Sequence, residues 1–536
     1  MEFNMADLFE NVADAVPDRE AIVCADKRLA FAELDERATR MAHALSKAGV
    51  KQGDHIGLYL YNGIEYMEGM LAAFKISAVP VNINFRYVEE ELYYLFENAD
   101  LVGIIHHREF GPRIAAVAER LPKLKTFFAV EDGSDADCSA IGSLNYDEEL
   151  ANASPERDFA PRSADDLYIV YTGGTTGLPK GVMWRHQDLF FAALMGGNPY
   201  GPPPERPEQV GENAKLGPVL TAAPAAPLMH AAAHWTALIY LLSGGKLVLT
   251  PGTGFDAGRI WKLVEQEKVQ VMAIVGDAMA RPLADALDEP DASYDTSSLF
   301  AIGSGGATYS EGVKAQLKKH LPNVLLLDTF GGSEGGNQGR GVEATESQTG
   351  PRFQADETSA VLDEDMKPLP PGTGKIGMLA RKGRIPLGYY KDEEKTAKTF
   401  IEADGTRWVV AGDMATIEAD GTITLLGRGS NCINSGGEKI FPEEVEAALR
   451  SHPKVFDAIV VGVPDQRFGE RVAAVVSARE GQTPTLEELD AHCRTCFASY
   501  KVPRELHLVP SMLRSPSGKP DYPWARELAI EGEHQV

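Results

Sequence analysis

The residues best suited to chemistry lie in one short segment, residues 171–181, which reads Y-T-G-G-T-T-G-L-P-K-G. Its glycines let the backbone approach an anion closely, its threonine hydroxyls can donate to phosphate oxygens, and its lysine adds a positive charge. The common phosphate loop, G-x-x-x-x-G-K-[ST], fits it in no register, which argues against a P-loop ATPase or kinase. Residues 168–171 predict a strand and the remainder a glycine-rich turn, for which an ordinary flexible surface turn is the alternative.

This eleven-residue string resembles the phosphate-binding signature of the acyl-adenylate-forming superfamily, which includes acyl-CoA synthetases, peptide-synthetase adenylation domains and luciferases. The resemblance extends over nearly the whole chain, because further motifs of the superfamily follow in the same order. It implies that ATP, Mg²⁺ and coenzyme A are the cofactors. The phosphate-binding set that it implies, with Thr176 also catalytic and Thr172 also near the metal, is Thr172, Gly173, Gly174, Thr175, Thr176 and Lys180.

A second group of motifs resembles the nucleotide pocket of the superfamily. In D-T-F-G-G-S-E-G, residues 328–335, the resemblance places Phe330 near adenine, Asp328 at its amino group and Glu334, a catalytic residue, on Mg²⁺. A carboxylate is a hard ligand that suits magnesium. Asp413 and Arg428 resemble the residues that reach the ribose hydroxyls. The remaining nucleotide-binding residues that the resemblance implies are Gly305, Gly306, Ala307, Thr329, Phe330, Gly331 and Ser333.

Two single residues resemble catalytic positions of the family. Lys519, in S-P-S-G-K-P-D-Y, resembles the catalytic lysine, although alone it would read as a solvated lysine on a turn. A cation there can bridge a carboxylate and an α-phosphate, which repel each other. His230, in P-L-M-H, resembles the histidine at the mouth of the acyl pocket, although an isolated histidine beside an apolar run is usually a core residue.

Residues 431–442, N-C-I-N-S-G-G-E-K-I-F-P, resemble the loop that lines the pantetheine tunnel, so Ser435, Gly436 and Gly437 are expected to bind coenzyme A. The chain departs from the family's pattern at two places. Val410 and Ala411 stand where the family usually has Arg-Thr, and Ser430 stands at the usual Asp or Lys hinge. The hinge is still expected at Ser430.

Small side chains surround the expected acyl pocket, which favours a bulky or long acyl group over acetate, with close packing as the alternative explanation. Shorter strings within residues 84–87, 179–186, 276–283, 427–439 and 515–522 resemble actinobacterial ligases that activate steroid side-chain carboxylates, and related fatty acyl-CoA ligases. The small residues are Ala231, Ala232, Ala233, Gly303, Gly305, Gly306, Gly331 and Gly332.

The elements that must position these residues alternate between strands and helices. Residues 31–49, 64–75 and 88–97 predict helices, and residues 55–61, 78–81 and 101–105 predict strands. Such alternation favours a parallel sheet covered on both faces. We therefore predict an α/β protein with a large N-terminal domain of mixed parallel sheets covered by helices, residues 1–427. A small mobile α+β C-terminal domain, residues 428–536, carries the catalytic lysine.

The composition argues against two classes of binding partner. The 536 residues are 44% hydrophobic and carry a net charge of −26, which argues against nucleic acid or an anionic membrane as the main partner. Residues 219–242 are apolar but contain two prolines and two histidines, so they do not predict a membrane span. The acidic N-terminus lacks the apolar region of a secretory signal, and a cytoplasmic location is expected. A homodimer is left open.

The prediction is an AMP-forming acid–thiol ligase that activates a bulky or medium-to-long-chain carboxylate as acyl-AMP and transfers it to coenzyme A. Two rivals share the nucleotide site: an adenylating enzyme that acylates a carrier protein, and a catalytically silent nucleotide binder. A third rests on the C-x-x-C of Cys493 and Cys496, which reads far more often as core or surface thiols than as a redox pair or half of a zinc site.

Overall fold

A computed structural model of the chain describes residues 1–174, 177–199, 201–252, 254–307, 309–341, 351–435, 438–465, 468–514 and 519–532. The helices are α1 Met5–Ala15, α2 Phe31–Lys47, α3 Ile64–Lys75, α4 Glu89–Asn98, α5 Gly111–Ala118, α6 Tyr146–Asn152, α7 His186–Ala192, α8 Gln209–Leu216, α9 Ala231–Leu242, α10 Ala257–Glu267, α11 Gly276–Asp288, α12 Glu311–His320, α13 Glu393–Thr399, α14 Pro442–Ser451, α15 Leu486–Cys493 and α16 Tyr522–Gly532.

Two mixed, mostly parallel sheets form most of the N-terminal part. Sheet one has the order β15-β14-β13-β12-β10-β11-β1-β2, and sheet two has the order β19-β9-β8-β4-β3-β5-β6-β7. The strands of sheet one are β1 Glu20–Cys24, β2 Lys27–Ala30, β10 Thr221–Pro224, β11 Lys246–Leu249, β12 Val271–Ile274, β13 Ala301–Gly305, β14 Leu325–Gly332 and β15 Gly336–Arg340. Those of sheet two are β3 His55–Tyr59, β4 Val79–Asn82, β5 Leu101–His107, β6 Thr126–Val130, β7 Leu144–Asn145, β8 Leu167–Gly174, β9 Gly177–Arg185 and β19 Gly388–Tyr389.

Two further sheets follow along the chain. Sheet three is antiparallel and sheet four belongs to the smaller C-terminal domain, where β28 runs parallel to β27. The strands of sheet three are β16 Arg352–Phe353, β17 Ser359–Leu362, β18 Gly377–Lys382, β20 Phe400–Ala403, β21 Thr406–Val409, β22 Asp413–Ile417 and β23 Ile423–Arg428. Those of sheet four are β24 Ile433–Ser435, β25 Glu438–Ile440, β26 Val455–Asp465, β27 Gly469–Ala478 and β28 Glu505–Val509.

A layer of helices lies between sheets one and two and forms the largest core. Helices α1, α2, α3 and α9 bury their apolar faces there against strands of both sheets. Helices α10 to α12 cover the other face of sheet one, and α4 and α5 cover the other face of sheet two. The predicted α/β class, with parallel sheets covered by helices and a smaller C-terminal domain, is confirmed.

Helix α2 shows how closely apolar spacing predicts the core. Leu34, Ala38, Met41 and Leu45 recur at helical spacing, and all four are fully buried. The helix ends at Lys47, and Gly49 follows with φ +98°, a left-handed conformation that suits glycine after a helix. The helix predicted over residues 31–49 is therefore confirmed, with its C-terminal end two residues earlier than predicted.

Three details of the sequence prediction were wrong or incomplete. The segment after residue 171, predicted as a glycine-rich turn, lies largely in strands β8 and β9, which pair antiparallel as far as Gly174 and Gly177. The Gly-Pro-Pro-Pro string and the charges of residues 201–213 predict a loop, but residues 209–216 form helix α8. Sheet three was not anticipated, since its short strands are separated by polar turns and carry only weak alternation.

We predict that Gly427→Ala lowers the melting temperature more than Gly421→Ala does. Both glycines have a positive φ, so each substitution meets the same kind of backbone penalty, roughly 1–2 kcal/mol. A Cβ at Gly427 would in addition lie 2.2 Å from Oε2 of Glu443 in α14, whereas a Cβ at Gly421 would meet no atom within 4 Å. Differential scanning calorimetry of the two variants measures the difference.

Adding Glu443→Ala to Gly427→Ala is expected to restore part of the lost stability, because the colliding carboxylate is then absent. Equal melting temperatures for the two single glycine variants would contradict the collision.

Candidate active site

The glycine-rich hairpin of β8 and β9 presents its polar residues side by side. Thr172 pairs with Lys180 across the ladder, and Gly174 pairs with Gly177 after a register shift. Gly173 lies between them in β8, whereas Thr175 and Thr176, both expected at the phosphates, lie outside the described residues. The hairpin therefore places one hydroxyl and one ammonium group at the same level of the ladder.

Asn82, at the end of β4, joins this hairpin to the segment that carries His230. Its Nδ2 donates to the carbonyl of Tyr171 at 2.9 Å and to the carbonyl of Met229 at 2.7 Å. Its Oδ1 accepts from the backbone N–H of Tyr171 at 2.8 Å. A buried amide that meets three backbone groups fixes both segments in one orientation. No motif in the sequence points to this residue.

Glu334 is held by two hydroxyls that come from different parts of the chain. The hydroxyl of Tyr389, in β19, donates to Oε1 at 2.9 Å, and that of Ser333 donates to Oε2 at 2.6 Å. The indole N–H of Trp184 in β9 donates to the carbonyl of Ser333 at 2.9 Å. Burial and the neighbouring carboxylate of Glu334 raise the pKa of Tyr389, so its hydroxyl stays a donor.

Lys180 forms an ion pair with Asp392, three residues after Tyr389. Asp392 also caps the N-terminus of α13, where its side chain accepts from the backbone N–H of Lys395 at 2.9 Å. The hydrogen bond from Lys180 lowers the pKa of Asp392. The short strand β19 pairs with β9, and this pairing brings both Tyr389 and Asp392 to the hairpin. Neither residue belongs to a motif that could be recognised in the sequence.

The ends of β13 and β14 carry the residues expected around adenine. Gly305 pairs with Thr329 in parallel register, and the Thr329 hydroxyl donates to the carbonyl of Ser304 at 2.9 Å. Asp328 accepts from Lys314 of α12 at 2.5 Å. Burial raises the pKa of Asp328, while Lys314 acts in the opposite direction. Lys314 is a partner that the sequence pattern did not reveal.

The loop after β13 and the end of β14 carry the rest of the expected adenine set. Gly306, with φ +81°, and Ala307 follow β13 directly. The Phe330 ring lies 5.0 Å from the ring of Phe353 in sheet three, centre to centre. The structure therefore brings the expected adenine residues together at the carboxyl ends of two neighbouring parallel strands, where ligands of such sheets commonly bind.

The small residues near this edge fall into two groups. A Cβ at Gly331 would lie 2.2 Å from the carbonyl oxygen of Gly336, and one at Gly305 would lie 2.7 Å from the Thr329 hydroxyl. These two glycines are required by close packing. A Cβ at Gly303, in the middle of β13, would meet no atom within 4 Å. Open space therefore lies beside Gly303, within an otherwise packed sheet.

Asp413 and Arg428 face each other across β22 and β23. They pair in the ladder, and Nε of Arg428 lies 2.9 Å from Oδ1 of Asp413. Arg428 also donates to the carbonyl of Ala411 at 2.7 Å. This contact uses the backbone of Ala411, so it does not depend on the side chain that differs from the family's pattern. Burial raises the pKa of Asp413, and Arg428 acts in the opposite direction.

Lys519 comes from the C-terminal domain into the same region. Burial lowers its pKa and so does repulsion from Arg428, whereas the carboxylates of Glu334 and Asp413 raise it. These four charged groups lie on four separate segments of the chain. The structure thus brings together residues that sequence analysis assigned to magnesium, ribose and catalysis.

The remaining expected site residues have simpler surroundings. His230 precedes α9, where its carbonyl accepts from the backbone N–H of His234 at 3.2 Å. Ser435, at the end of β24, is buried and pairs with Gly469. Gly436 and Gly437, expected at the pantetheine tunnel, lie outside the described residues.

His234 is a core residue. Its ring is fully buried, bonds the Tyr168 hydroxyl, and contacts the carbonyl of Leu228 through Nδ1 at 2.7 Å. Burial lowers its pKa to about 4, so it stays neutral.

The C-x-x-C of residues 493–496 consists of two free thiols, of which Cys493 is buried and Cys496 exposed. Burial raises the pKa of Cys493 to about 12, the opposite of what a reactive thiol requires. Among the described residues no group of three or more His, Cys, Asp or Glu side chains could hold a metal ion, which leaves the zinc interpretation without support. No helix among all the residues that the structure describes is long and apolar enough to cross a membrane.

The chain matches two protein families. Residues 9–390 match the AMP-binding enzyme family, and residues 444–519 match the AMP-binding enzyme C-terminal domain. A 3-oxocholest-4-en-26-oate–CoA ligase of Rhodococcus rhodochrous is 49% identical over 98% of this chain and 96% of that protein. A medium/long-chain-fatty-acid–CoA/3-oxocholest-4-en-26-oate–CoA ligase of Mycolicibacterium smegmatis is 49% identical over 99% of this chain and 97% of that protein.

Solved structures share the whole fold. The anthranilate CoA ligase AuaEII, in complex with anthranoyl-AMP, aligns with a TM-score of 0.85 at 23% identity, over 99% of this chain and 98% of its own. ATP-bound MatB of Rhodopseudomonas palustris aligns with a TM-score of 0.81 at 25% identity, over 98% of each chain. The resemblance to the adenylate-forming superfamily is confirmed.

We predict that Glu443 makes the stability depend on pH. It is buried at the start of α14, where Oε1 accepts from the backbone N–H of Arg428 at 3.3 Å. Burial and repulsion from Glu446 raise its pKa to about 8. A carboxyl with a raised folded-state pKa stabilises the fold fully below its unfolded pKa and loses this contribution as the pH rises through about 8. Because the carboxyl ionises near 4.5 in the unfolded chain and only near 8 in the folded one, the melting temperature should decrease between about pH 4.5 and pH 8 and level off above that.

Glu443→Gln stays neutral and should flatten this decrease, measured by thermal scans across the pH range. Glu487→Gln, on the exposed first turn of α15, is the matched control and should keep the wild-type profile. A wild-type profile in Glu443→Gln would rule the assignment out.

Proposed function

The chain belongs to the AMP-binding enzyme family, and we propose that it is an ATP-dependent acyl-CoA synthetase. As an AMP-forming acid–thiol ligase, it activates a carboxylic acid as acyl-AMP and transfers the acyl group to coenzyme A. The observation that carries the proposal is that Lys519 lies near Glu334, Asp413 and Arg428. This arrangement combines a cation for the reacting anions, a carboxylate for the metal ion and a charged pair for the ribose.

The first step joins the carboxylate to the α-phosphate. The carboxylate oxygen attacks phosphorus in line, the bond to pyrophosphate breaks, and acyl-AMP forms. Thr172, Thr175, Thr176 and Lys180 hold the phosphates, and Lys519 stabilises the negative charge that builds up between the two anions. Asp413 and Arg428 orient the ribose, and the ends of β13 and β14 hold adenine.

Magnesium fits the residues that are present. Mg²⁺ is usually held by one or two carboxylates together with substrate phosphates, rather than by a cage of protein ligands. The described residues contain no such cage, and Glu334 is a carboxylate oriented by Tyr389 and Ser333. Glu334, with Thr172 beside Lys180, would hold the ion. When bound, the ion would neutralise phosphate charge; the protein's part is to orient Glu334 through the hydroxyls of Tyr389 and Ser333.

The second step transfers the acyl group. We assign residues 1–427 to the adenylation domain and residues 428–536 to a mobile C-terminal domain that turns about Ser430. Ser430 is exposed in the short 3-10 helix Gly429–Asn431, so its backbone has room to change conformation. The domain rotation withdraws Lys519 and brings Ser435, Gly436 and Gly437 to the acyl-adenylate. The thiol of coenzyme A then attacks the activated carbonyl and AMP leaves.

The acid is a steroid side-chain carboxylate or a medium-to-long-chain fatty acid, and His230 lies at the mouth of its pocket. Relatives that are 49% identical carry names with these two substrate classes. Open space beside Gly303 supports a long or bulky acyl group, while the packing at Gly305 and Gly331 says nothing about acyl size. The cytoplasmic location and a homodimer remain expectations.

Mass spectrometry of the reaction products tests the proposal. The protein is incubated with MgATP, coenzyme A and a panel of short, medium and long fatty acids, aromatic acids and a steroid side-chain acid. We expect an acyl-CoA and AMP with the steroid or a medium-to-long-chain acid. Acyl-AMP without a thioester would indicate a carrier-protein acceptor, and no product with any acid of the panel would contradict catalysis.

We predict that Lys519→Ala lowers the rate of acyl-AMP formation by about a hundred-fold or more, because the anions then meet without the bridging cation. Thioester formation from supplied acyl-adenylate should persist, since the second step does not use this lysine. Lys454→Ala, which removes a lysine of the same domain that pairs with Glu488 at 2.6 Å, should leave both steps unchanged. Loss of both steps in Lys519→Ala would contradict the assignment.

A further inference from the structure

Helix α11 carries a charged face that the proposed reaction does not use. Its first residues read G-D-A-M-A-R-P-L, and both Asp277 and Arg281 of this string are buried. The two side chains are 3.7 Å apart, and Asp277 also accepts from the backbone N–H of Ser310 at 2.9 Å. Buried charges on a covering helix need a structural or functional reason.

The guanidinium of Arg281 packs against the C-terminal domain. It lies 5.3 Å from the centre of the Phe456 ring, within the range of a cation–π interaction. Burial lowers the pKa of Arg281, Asp277 raises it and Arg479 of the C-terminal domain lowers it further. The contact therefore joins sheet one's outer helix layer to sheet four.

Phe456 owes its position to an irregularity in β26. The ladder between β26 and β27 shifts register between Val455 and Asp457, so Phe456 is the extra residue of a β-bulge. Such a bulge redirects a side chain away from the regular alternation of the strand. Phe456 is 40% exposed even with Arg281 against it, which marks it as a surface contact and not as part of the sheet's own core.

Asp457, the residue after Phe456, is bonded to the segment that carries Lys519. Both carboxylate oxygens of Asp457 accept from Nη2 of Arg514, each at 2.7 Å. Arg514 forms an antiparallel bridge with Pro520, so the two residues close the segment that carries Lys519. The same aspartate lies 3.7 Å from Arg450 of α14. Two adjacent residues of one bulge thus contact the large domain on one side and the lysine segment on the other.

We propose that the docking of the Phe456 bulge on Arg281 of α11 positions Lys519 for acyl-adenylate formation and has no part in thioester formation. This inference rests on the proposed two-step function. Phe456 and Arg281 are positioning residues: they set where the lysine segment stands relative to sheet one. A cation–π contact suits a transient docking site, because the guanidinium regains its hydration when the aromatic ring leaves, and no second buried charge is exposed.

Separate assays of the two steps test the inference. Phe456→Ala should lower the rate of acyl-AMP formation about five- to thirty-fold, the loss expected for one cation–π contact. Thioester formation from supplied acyl-adenylate should keep its wild-type rate. Leu508→Ala is the matched control, because Leu508 is a 45% exposed apolar residue of the same domain outside this contact, and it should leave both rates unchanged.

Arg281→Lys keeps the charge but loses the planar group that stacks on the ring, and should show the same selective loss as Phe456→Ala. Equal losses in both steps, or no loss in the first step, would overturn the inference. Hydrogen exchange of the α11 amides gives a second readout that does not depend on catalysis. Exchange there should accelerate in Phe456→Ala at an unchanged melting temperature, and unchanged exchange would also overturn it. A wild-type protein that makes neither product would instead contradict the proposed function.

Discussion

The site depends on holding Lys519 among charges that partly compensate it. Burial alone would favour the loss of its proton, and Arg428 adds repulsion, so the carboxylates of Glu334 and Asp413 are needed to keep an ammonium group there. These partners lie in different layers: Glu334 follows a strand of sheet one, and Asp413 and Arg428 lie on sheet three. The recess around Lys519, formed by Glu334, Asp413 and Arg428, therefore exists only because sheets one and three meet there.

A short strand connects this recess to the glycine-rich hairpin. By pairing with β9, β19 brings a tyrosine hydroxyl to Glu334 and an aspartate to Lys180. The two candidate groups for metal and phosphate binding are thereby oriented by one segment of a few residues. Hydrogen bonds to a carboxylate orient it without neutralising it, which is what a metal ligand requires.

Small residues near the acyl pocket have different causes, and this limits what they say about the substrate. Gly331 is required because the backbone of Gly336 lies against it, and Gly305 because the Thr329 hydroxyl does. Only open space, as beside Gly303, indicates room for a ligand. A count of small side chains along the sequence does not distinguish glycines required by close packing from glycines beside open space. Only the packing in the structure distinguishes them.

The sequence by itself determined the family and the order of its motifs, and it predicted helices α2, α3 and α4 of the large domain, because these depend on local spacing. Helix α3 begins and ends at the predicted residues. Asp413 and Arg428 are both assigned to the ribose by resemblance, but their pairing across two strands of sheet three appears only in the structure. The sequence did not determine sheet three or the roles of Asn82 and Tyr389. Tyr389 is 55 residues from Glu334, so only tertiary structure brings them into contact. Only tertiary structure likewise brings Arg281 and Phe456 into contact, because a contact between two domains produces no repeating pattern in the sequence of either segment.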